Sequence, residues 1–275
     1  MIADGERLVA GIDSGSTSTK ALVLSRSRRV LGSALLPTGA DSREASRRAL
    51  LEALRQAGAS RRAVAFVVAT GYGREIAGEA DASVTEITCH ARGVHFLLPS
   101  VRTVLDIGGQ DSKAIRIHGQ GRVRDFAMND KCAAGTGRFL EVMSQTLGVP
   151  LDEMGRVSLT AGKRVRVSSI CTVFAESEVV SLVAKGERAP DILNGLHMAV
   201  ADRVAALAAR VGLQAPAAIT GGVARNTGVV KALEERLGTA LLIPPEPQLT
   251  GCLGAALIAL EKWQPEDGFR SAETI

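Results

Sequence analysis

Asp13-Ser14-Gly15-Ser16-Thr17-Ser18-Thr19-Lys20-Ala21 is matched, residue type for residue type, by Asp106-Ile107-Gly108-Gly109-Gln110-Asp111-Ser112-Lys113-Ala114. Both read Asp-x-Gly-x-x-x-Ser/Thr-Lys-Ala, both close an apolar run and both open a second one. By position each is a tight hairpin turn, with glycine where backbone must bend or approach a ligand. Backbone N–H groups, small hydroxyls and one lysine make a cradle for phosphate oxygens, and an aspartate at the strand end can hold a hydrated Mg²⁺. Either copy alone could be an ordinary glycine turn. Two copies at matching places argue for two related halves that clamp one polyphosphate between facing hairpins.

Working outward, short β-branched runs at Arg7–Ile12, Lys20–Leu24 and Val30–Leu36 read as strands, followed by a helix over Ser42–Gln56 and a buried strand over Ala63–Ala69. The order recurs with strands at Thr103–Ile107, Lys113–His118, Arg122–Met128 and Ala217–Thr220. That is an α/β class with partly antiparallel sheets, not a uniform Rossmann wind. Asp13 to Thr70 spans 57 residues and Asp106 to Thr220 spans 114, so the second half carries an insert of 57, placed at about 129–185. The expected division is a first subdomain of 1–98 plus about 246–275, and a second of 99–245 that holds the insert.

The 275 residues carry 33 basic against 29 acidic side chains, a formal charge of +4 too small to indicate nucleic acid. Aromatic content of 3% leaves too few rings for a base-stacking platform. The acidic start Met1–Glu6 does not read as a secretory signal, and no uncharged apolar stretch approaches the roughly 18 residues of a membrane span. A cytoplasmic location follows as the expectation, in which Cys89, Cys132, Cys171 and Cys252 are thiols or metal ligands rather than disulfides.

Cys132 and Cys171 fall inside the insert, each ahead of a helical pattern: Phe139, Leu140, Met143 and Leu147 after the first, Ala175, Val179, Leu182 and Val183 after the second. A helix N-terminus stabilises negative charge and tolerates an anionic cluster. Neither cysteine lies in a C-x-x-C pair, and two thiols cannot fill the four-cysteine set of a [4Fe–4S] cluster. Two chains about a two-fold axis could. Small buried hydrophobes are the commoner fate of free cysteines, and Cys89 and Cys252 read that way.

The stretches Gly11–Thr17, Ala69–Arg74, Cys89–Ala91, Asp106–Asp111, Met128–Phe139, Ser168–Glu178 and Thr220–Asn226 together resemble the activator proteins of 2-hydroxyacyl-CoA dehydratases, which belong with the ATPase subunits of benzoyl-CoA reductase. The resemblance runs from about residue 8 to 260, with Ser14 at a commonly apolar position and a short extra tail, Gln264–Ile275. It implies a duplicated actin/Hsp70/sugar-kinase-like fold and a homodimer sharing one [4Fe–4S] cluster through Cys132 and Cys171. It implies Ser16, Thr17, Ser18, Thr19 and Lys20 as the first phosphate loop, Gln110 in the second, and Gly221, Gly222 and Asn226, with Gln248, on the adenosine side. Asp13 and Asp106 would organise Mg²⁺ and water, and Gln110 would orient the attacking water. The implied activity is ATP-driven one-electron transfer from a ferredoxin or flavodoxin to a client 2-hydroxyacyl-CoA dehydratase or related reductase, with a double-cubane-cluster protein or benzoyl-CoA reductase as the alternative client. A small-molecule kinase of the same fold, or a nucleotide-gated assembly protein, are the competing classes; the first predicts an acceptor-binding base and no iron.

Overall fold

A computed structural model describes residues 7–167 and 171–263. Met1–Glu6, the Ser168-Ser169-Ile170 part of the second cysteine motif and the tail from Gln264 lie outside the described residues.

The chain opens with a meander of β1 (Leu8–Ser14), β2 (Ser18–Leu24) and β3 (Val30–Pro37). Next come α1 (Ser42–Ala57), β4 (Val64–Thr70), which pairs parallel to β1, and the short β5 (Ala82–Ser83). Helix α2 (Glu86–Leu97) leads into a second meander, β6 (Thr103–Ile107), β7 (Ser112–Ile117) and β8 (Val123–Asn129). Then follow α3 (Gly137–Leu147), α4 (Met154–Ser158), α5 (Thr172–Ala184), α6 (Ala189–Arg210), β9 (Ala217–Thr220), α7 (Thr227–Leu237), β10 (Leu241–Leu242) and α8 (Thr250–Lys262). The sheets have the orders β3-β2-β1-β4-β5 and β10-β9-β6-β7-β8, so β6 to β10 repeat β1 to β5 strand for strand.

Each sheet is covered on both faces, which explains why β1 is buried along its whole length instead of alternating. On one face of the first sheet, Ala49, Leu50, Ala53 and Leu54 of α1 meet Leu8, Ala10, Ile12, Ala21 and Val23. Full burial of Leu50 and Leu54 stabilises by about 1.5–3 kcal/mol each. Asp41 starts α1 by accepting from the N–H groups of Arg43 and Glu44 at 3.0 Å, and Gly58 ends it in the left-handed region. The other face holds α8, whose residues Thr250–Ala259 are all buried because the helix is sandwiched between the sheet and α2. Ile87, Ala91 and Val94 of α2 in turn pack on Val104, Ile115 and Ile117 of the second sheet, whose far face carries α6. Among the described residues α6 is the one helix long and apolar enough to cross a membrane, and 61% of the window that qualifies is buried within the chain.

Between β3 and α1 only a turn intervenes, whereas α3, α4, α5 and both insert cysteines stand between β8 and α6. The expected inward faces of α3 and α5 form, with one difference. Val183 is 49% exposed, because α5 is apolar nearly all round and presents a second apolar face, Val173, Phe174, Val180 and Val183, to solvent.

Candidate functional site

The turns β1–β2 and β6–β7 face each other across a cavity of about 480 Å³. Their approach is close: a Cβ on Gly109 would run into Oγ1 of Thr17, so this position in the second turn has room only for glycine. Antiparallel register places Asp13 opposite Lys20 and Asp106 opposite Lys113, and cross-strand partners project on the same face. Lys20 Nζ lies 3.4 Å from Asp13 Oδ2 and donates to the carbonyl of Ser18 at 3.2 Å. Lys113 Nζ lies 3.2 Å from Asp106 Oδ2, 2.6 Å from Asp111 Oδ2 and 3.6 Å from Glu86 Oε1. The repeat seen in the sequence is therefore a repeat of buried ion pairs.

It extends to the parallel strands beside them. Thr70 neighbours Asp13 and Thr220 neighbours Asp106, where the Thr220 hydroxyl donates to Asp106 Oδ1 at 2.8 Å. Gly71 and Gly221 follow with φ of +86° and +84°, turning the chain away in the region that only glycine occupies freely. Burial alone would raise the Asp106 carboxyl, but His90, Lys113 and the Thr220 hydroxyl hold it below the usual carboxylate range. Burial would likewise lower Lys113, and Asp106, Asp111 and Glu86 raise it instead. Lys20 follows the same pattern, raised by Asp13 and Asp106 against burial. Both lysines are thus fixed cations and Asp106 a fixed anion. Asp13 and Asp106 suit the outer coordination of a hydrated Mg²⁺, which takes one or two carboxylates and completes its shell with water and phosphate oxygens.

Of the residues singled out from the sequence, Asp13, Ser16, Thr17, Ser18, Lys20, Asp106, Gly221, Gly222, Asn226 and Gln248 all line this one cavity. Thr19 does not: alternation turns it to the opposite face, where its hydroxyl lies 2.9 Å from that of Thr38. Gln110 is exposed at the second hairpin and is not part of the wall. Asn226 has a structural duty as well, its Oδ1 accepting from the N–H groups of Gly228 and Val229 to cap α7. The sequence reading did not place Glu86 and His90 of α2, or Leu140, Leu151, Val223, Glu141 and Asp152, in the cavity that they line. The i, i+4 spacing of Glu86 and His90 on a helix with an otherwise apolar buried face, and the Cys89–Ala91 stretch that contains His90, were the available signals.

Helix α3 is bolted to the second hairpin, since Gly137 N–H donates to the Gly108 carbonyl at 2.9 Å and Arg138 N–H to that of Gly109 at 2.7 Å. Upstream, Asn129 Nδ2 donates to the Cys132 carbonyl at 2.8 Å, so the cysteine loop is held between β8 and α3. Cys171 is the N-cap residue of α5, and α3 and α5 pack on one another. Cys132 and Cys171 are half-buried, whereas Cys89 and Cys252 are buried and burial pushes the Cys89 thiol up to about 12. Among the described residues no group of three or more His, Cys, Asp or Glu side chains is placed to hold a metal.

The family model described as the BadF/BadG/BcrA/BcrD ATPase family matches residues 10–259. The chain is 47% identical to the activator of lactoyl-CoA dehydratase of Anaerotignum propionicum, over 92% of this chain and 98% of that protein. It superimposes on the crystal structure of component A of (R)-2-hydroxyglutaryl-CoA dehydratase from Acidaminococcus fermentans with a TM-score of 0.89 at 45% identity, covering 93% and 98% of the two chains. The activator of 2-hydroxyisocaproyl-CoA dehydratase from Clostridium difficile, solved with bound ADPNP, gives 0.87 at 43% identity, covering 92% and 94%. A ROK-family glucokinase from Streptomyces griseus, 17% identical with a TM-score of 0.58 over 92% of this chain and 99% of its own, shares the actin/Hsp70/sugar-kinase-like fold alone.

Proposed function

Because the chain belongs to the BadF/BadG/BcrA/BcrD ATPase family, we propose that it hydrolyses ATP to drive one-electron donation to a client enzyme, a 2-hydroxyacyl-CoA dehydratase or a related CoA-ester reductase. The observation that carries this reading is the pair of hydrogen bonds from Gly137 and Arg138 to Gly108 and Gly109, which joins a phosphate hairpin to the helix behind Cys132. A change in hairpin position on nucleotide turnover moves α3, and with it the loop that presents the thiol.

Ser16, Thr17, Ser18 and Lys20 receive the phosphates from the first half, and the Gly108–Asp111 turn with Lys113 receives them from the second. Asp13 and Asp106 would hold Mg²⁺, which would neutralise charge on the phosphates. Gly221, Gly222, Asn226 and Gln248 take the adenosine side of a cavity that Leu140, Leu151 and Val223 also line. The donor set for a cluster is two half-buried thiols per chain, each ahead of a helix N-terminus. Four thiolates, the usual requirement of a [4Fe–4S] cluster, come from Cys132 and Cys171 of two copies. The cluster, when bound, supplies the one-electron carrier. The uncovered apolar face of α5, directly behind Cys171, is where the second copy would pack: Val173 is 65% and Phe174 69% exposed. A ferredoxin or flavodoxin would reload the pair in the cytoplasm.

Reconstitution tests the reading. Reduced protein mixed with a client dehydratase should support turnover only with ATP, and Cys171→Ser should abolish turnover while still binding ATP; equal turnover by that variant would refute it.

A further inference from the structure

Asn226 caps α7 and also lines the cavity, and both duties fall on one side-chain amide. Its Oδ1 accepts from the N–H groups of Gly228 and Val229 at 3.0 and 3.1 Å, which leaves Nδ2 as the edge that faces away from the helix. His197 of α6, 1% exposed, places Nε2 3.4 Å from Asn226 Nδ2 and Nδ1 3.0 Å from Ser158 Oγ. Ser158 belongs to α4, inside the stretch that the second half adds. Its hydroxyl donates to the Gly155 carbonyl at 2.8 Å, so toward the ring its oxygen can only accept. Burial pushes the imidazole down to about 4, and at neutral pH the ring therefore holds a single proton. That proton sits on Nδ1, and bare Nε2 accepts one of the two amide protons of Asn226. The other amide proton has no acceptor among the described residues.

The array is tightly built. A Cβ on Gly228 would strike Ser158 Oγ and His197 Nδ1, and one on Gly155 would strike Asn226 Oδ1, so glycine at both positions lets α4, α6 and α7 close on one another. We propose that His197 is a positioning residue for the nucleotide: by holding one amide proton of Asn226 it presents the other to an acceptor atom of the adenosine moiety, a ring nitrogen or a ribose oxygen. The inference deepens, and rests on, the reading of Asn226 as part of the adenosine side. His197 itself is not part of the cavity wall. Without an acceptor at Nε2, one N–H of the amide is left unpaired and the amide plane can tilt about its bonds to Gly228 and Val229, which misdirects the proton offered to the ligand.

Asparagine reproduces the Nδ1 edge of histidine and glutamine the Nε2 edge, so the two replacements separate the ring's roles. By calorimetry, His197→Asn should bind ADP about 10-fold more weakly, and its KM for ATP should rise by the same factor with kcat held. His197→Gln should bind ADP as the wild type does. Asn226→Ser, which keeps an N-cap but has no amide, should also weaken ADP binding, and adding His197→Asn to it should cost nothing more. Nitrogen-15 NMR of the wild-type protein, which depends on no variant folding, should show His197 protonated on Nδ1 and bare on Nε2. Unchanged ADP affinity in His197→Asn, equal losses in His197→Asn and His197→Gln, additive losses in the double variant, or a wild-type ring protonated on Nε2 would each overturn the assignment. A wild-type chain that binds no ADP, or an Asn226→Ser variant that binds it normally, would instead overturn the adenosine-side reading itself.

Discussion

Arg138 N–H donates to the Gly109 carbonyl at 2.7 Å, and this contact lies between the nucleotide cavity and the cysteine loop. Arg138 sits in the first turn of α3, where a helix does not need its own N–H groups and tolerates proline. Arg138→Pro should therefore remove this half of the link, leaving the Gly137 bond to Gly108, without breaking α3. ATP hydrolysis should persist while ATP-dependent electron delivery to the client falls by about 10-fold, the worth of one net hydrogen bond. Arg138→Ala, which keeps the N–H, should behave as wild type. Parallel assays of phosphate release and client reduction check this.

Gly109 sets how closely the two halves approach. Adding a methyl group places it against Thr17 Oγ1. Overpacking of this kind costs about 1–3 kcal/mol, so Gly109→Ala should weaken ATP binding by roughly 5- to 150-fold. Thr17→Gly relieves the clash but also removes a phosphate-loop hydroxyl, so calorimetry should show coupling: the double variant loses less ATP affinity than the two single losses added together.

The α5 face makes a prediction about assembly. Phe174 is largely exposed, so Phe174→Asp should leave the folding stability of one chain nearly unchanged. Loss of a central aromatic contact costs about 2–4 kcal/mol of association, enough to produce monomers at micromolar concentration. Light scattering reads the mass, and iron should disappear with the dimer.

His197 makes stability depend on pH. Its Nδ1 lies 3.0 Å from Ser158 Oγ and its Nε2 3.4 Å from Asn226 Nδ2, the residue that caps α7 at the cavity wall. Burial lowers its pKa from 6.5 to about 4. Between those values the unfolded chain binds the extra proton, so stability is full above pH 6.5, is lost as pH falls and levels off below about 4. The group contributes roughly 3 kcal/mol over that window. Urea unfolding at pH 7 and 4.5 should show the loss in wild type, and a smaller slope in His197→Gln.

The strands and the paired turns were legible because their signals are local: two-residue alternation, glycine at the bends, and an Asp and a Lys seven residues apart that antiparallel register brings face to face. The same locality puts Ser16 and Lys20 on one turn and Gly221 and Asn226 after one strand end, and both places line the one cavity. Glu86 and His90 were not legible, since α2 reaches the hairpins only through its packing on α8 and the second sheet. Thr19 and Gln110 show the limit at single residues. Inclusion in a phosphate loop does not determine which face of the strand, or which side of the turn, a side chain occupies. Val183 fits the inward stripe of α5 by spacing, but the helix is apolar on both sides, and periodicity cannot choose which side stays uncovered.

The central claim, a chain that completes its redox site only as a pair, is tested most directly by iron analysis of protein purified without oxygen. Wild-type dimer should carry about four irons, the content of one [4Fe–4S] cluster. Cys132→Ser should lose them while still binding ATP. Iron-free wild-type protein, or stoichiometric iron in Cys132→Ser, would contradict the account.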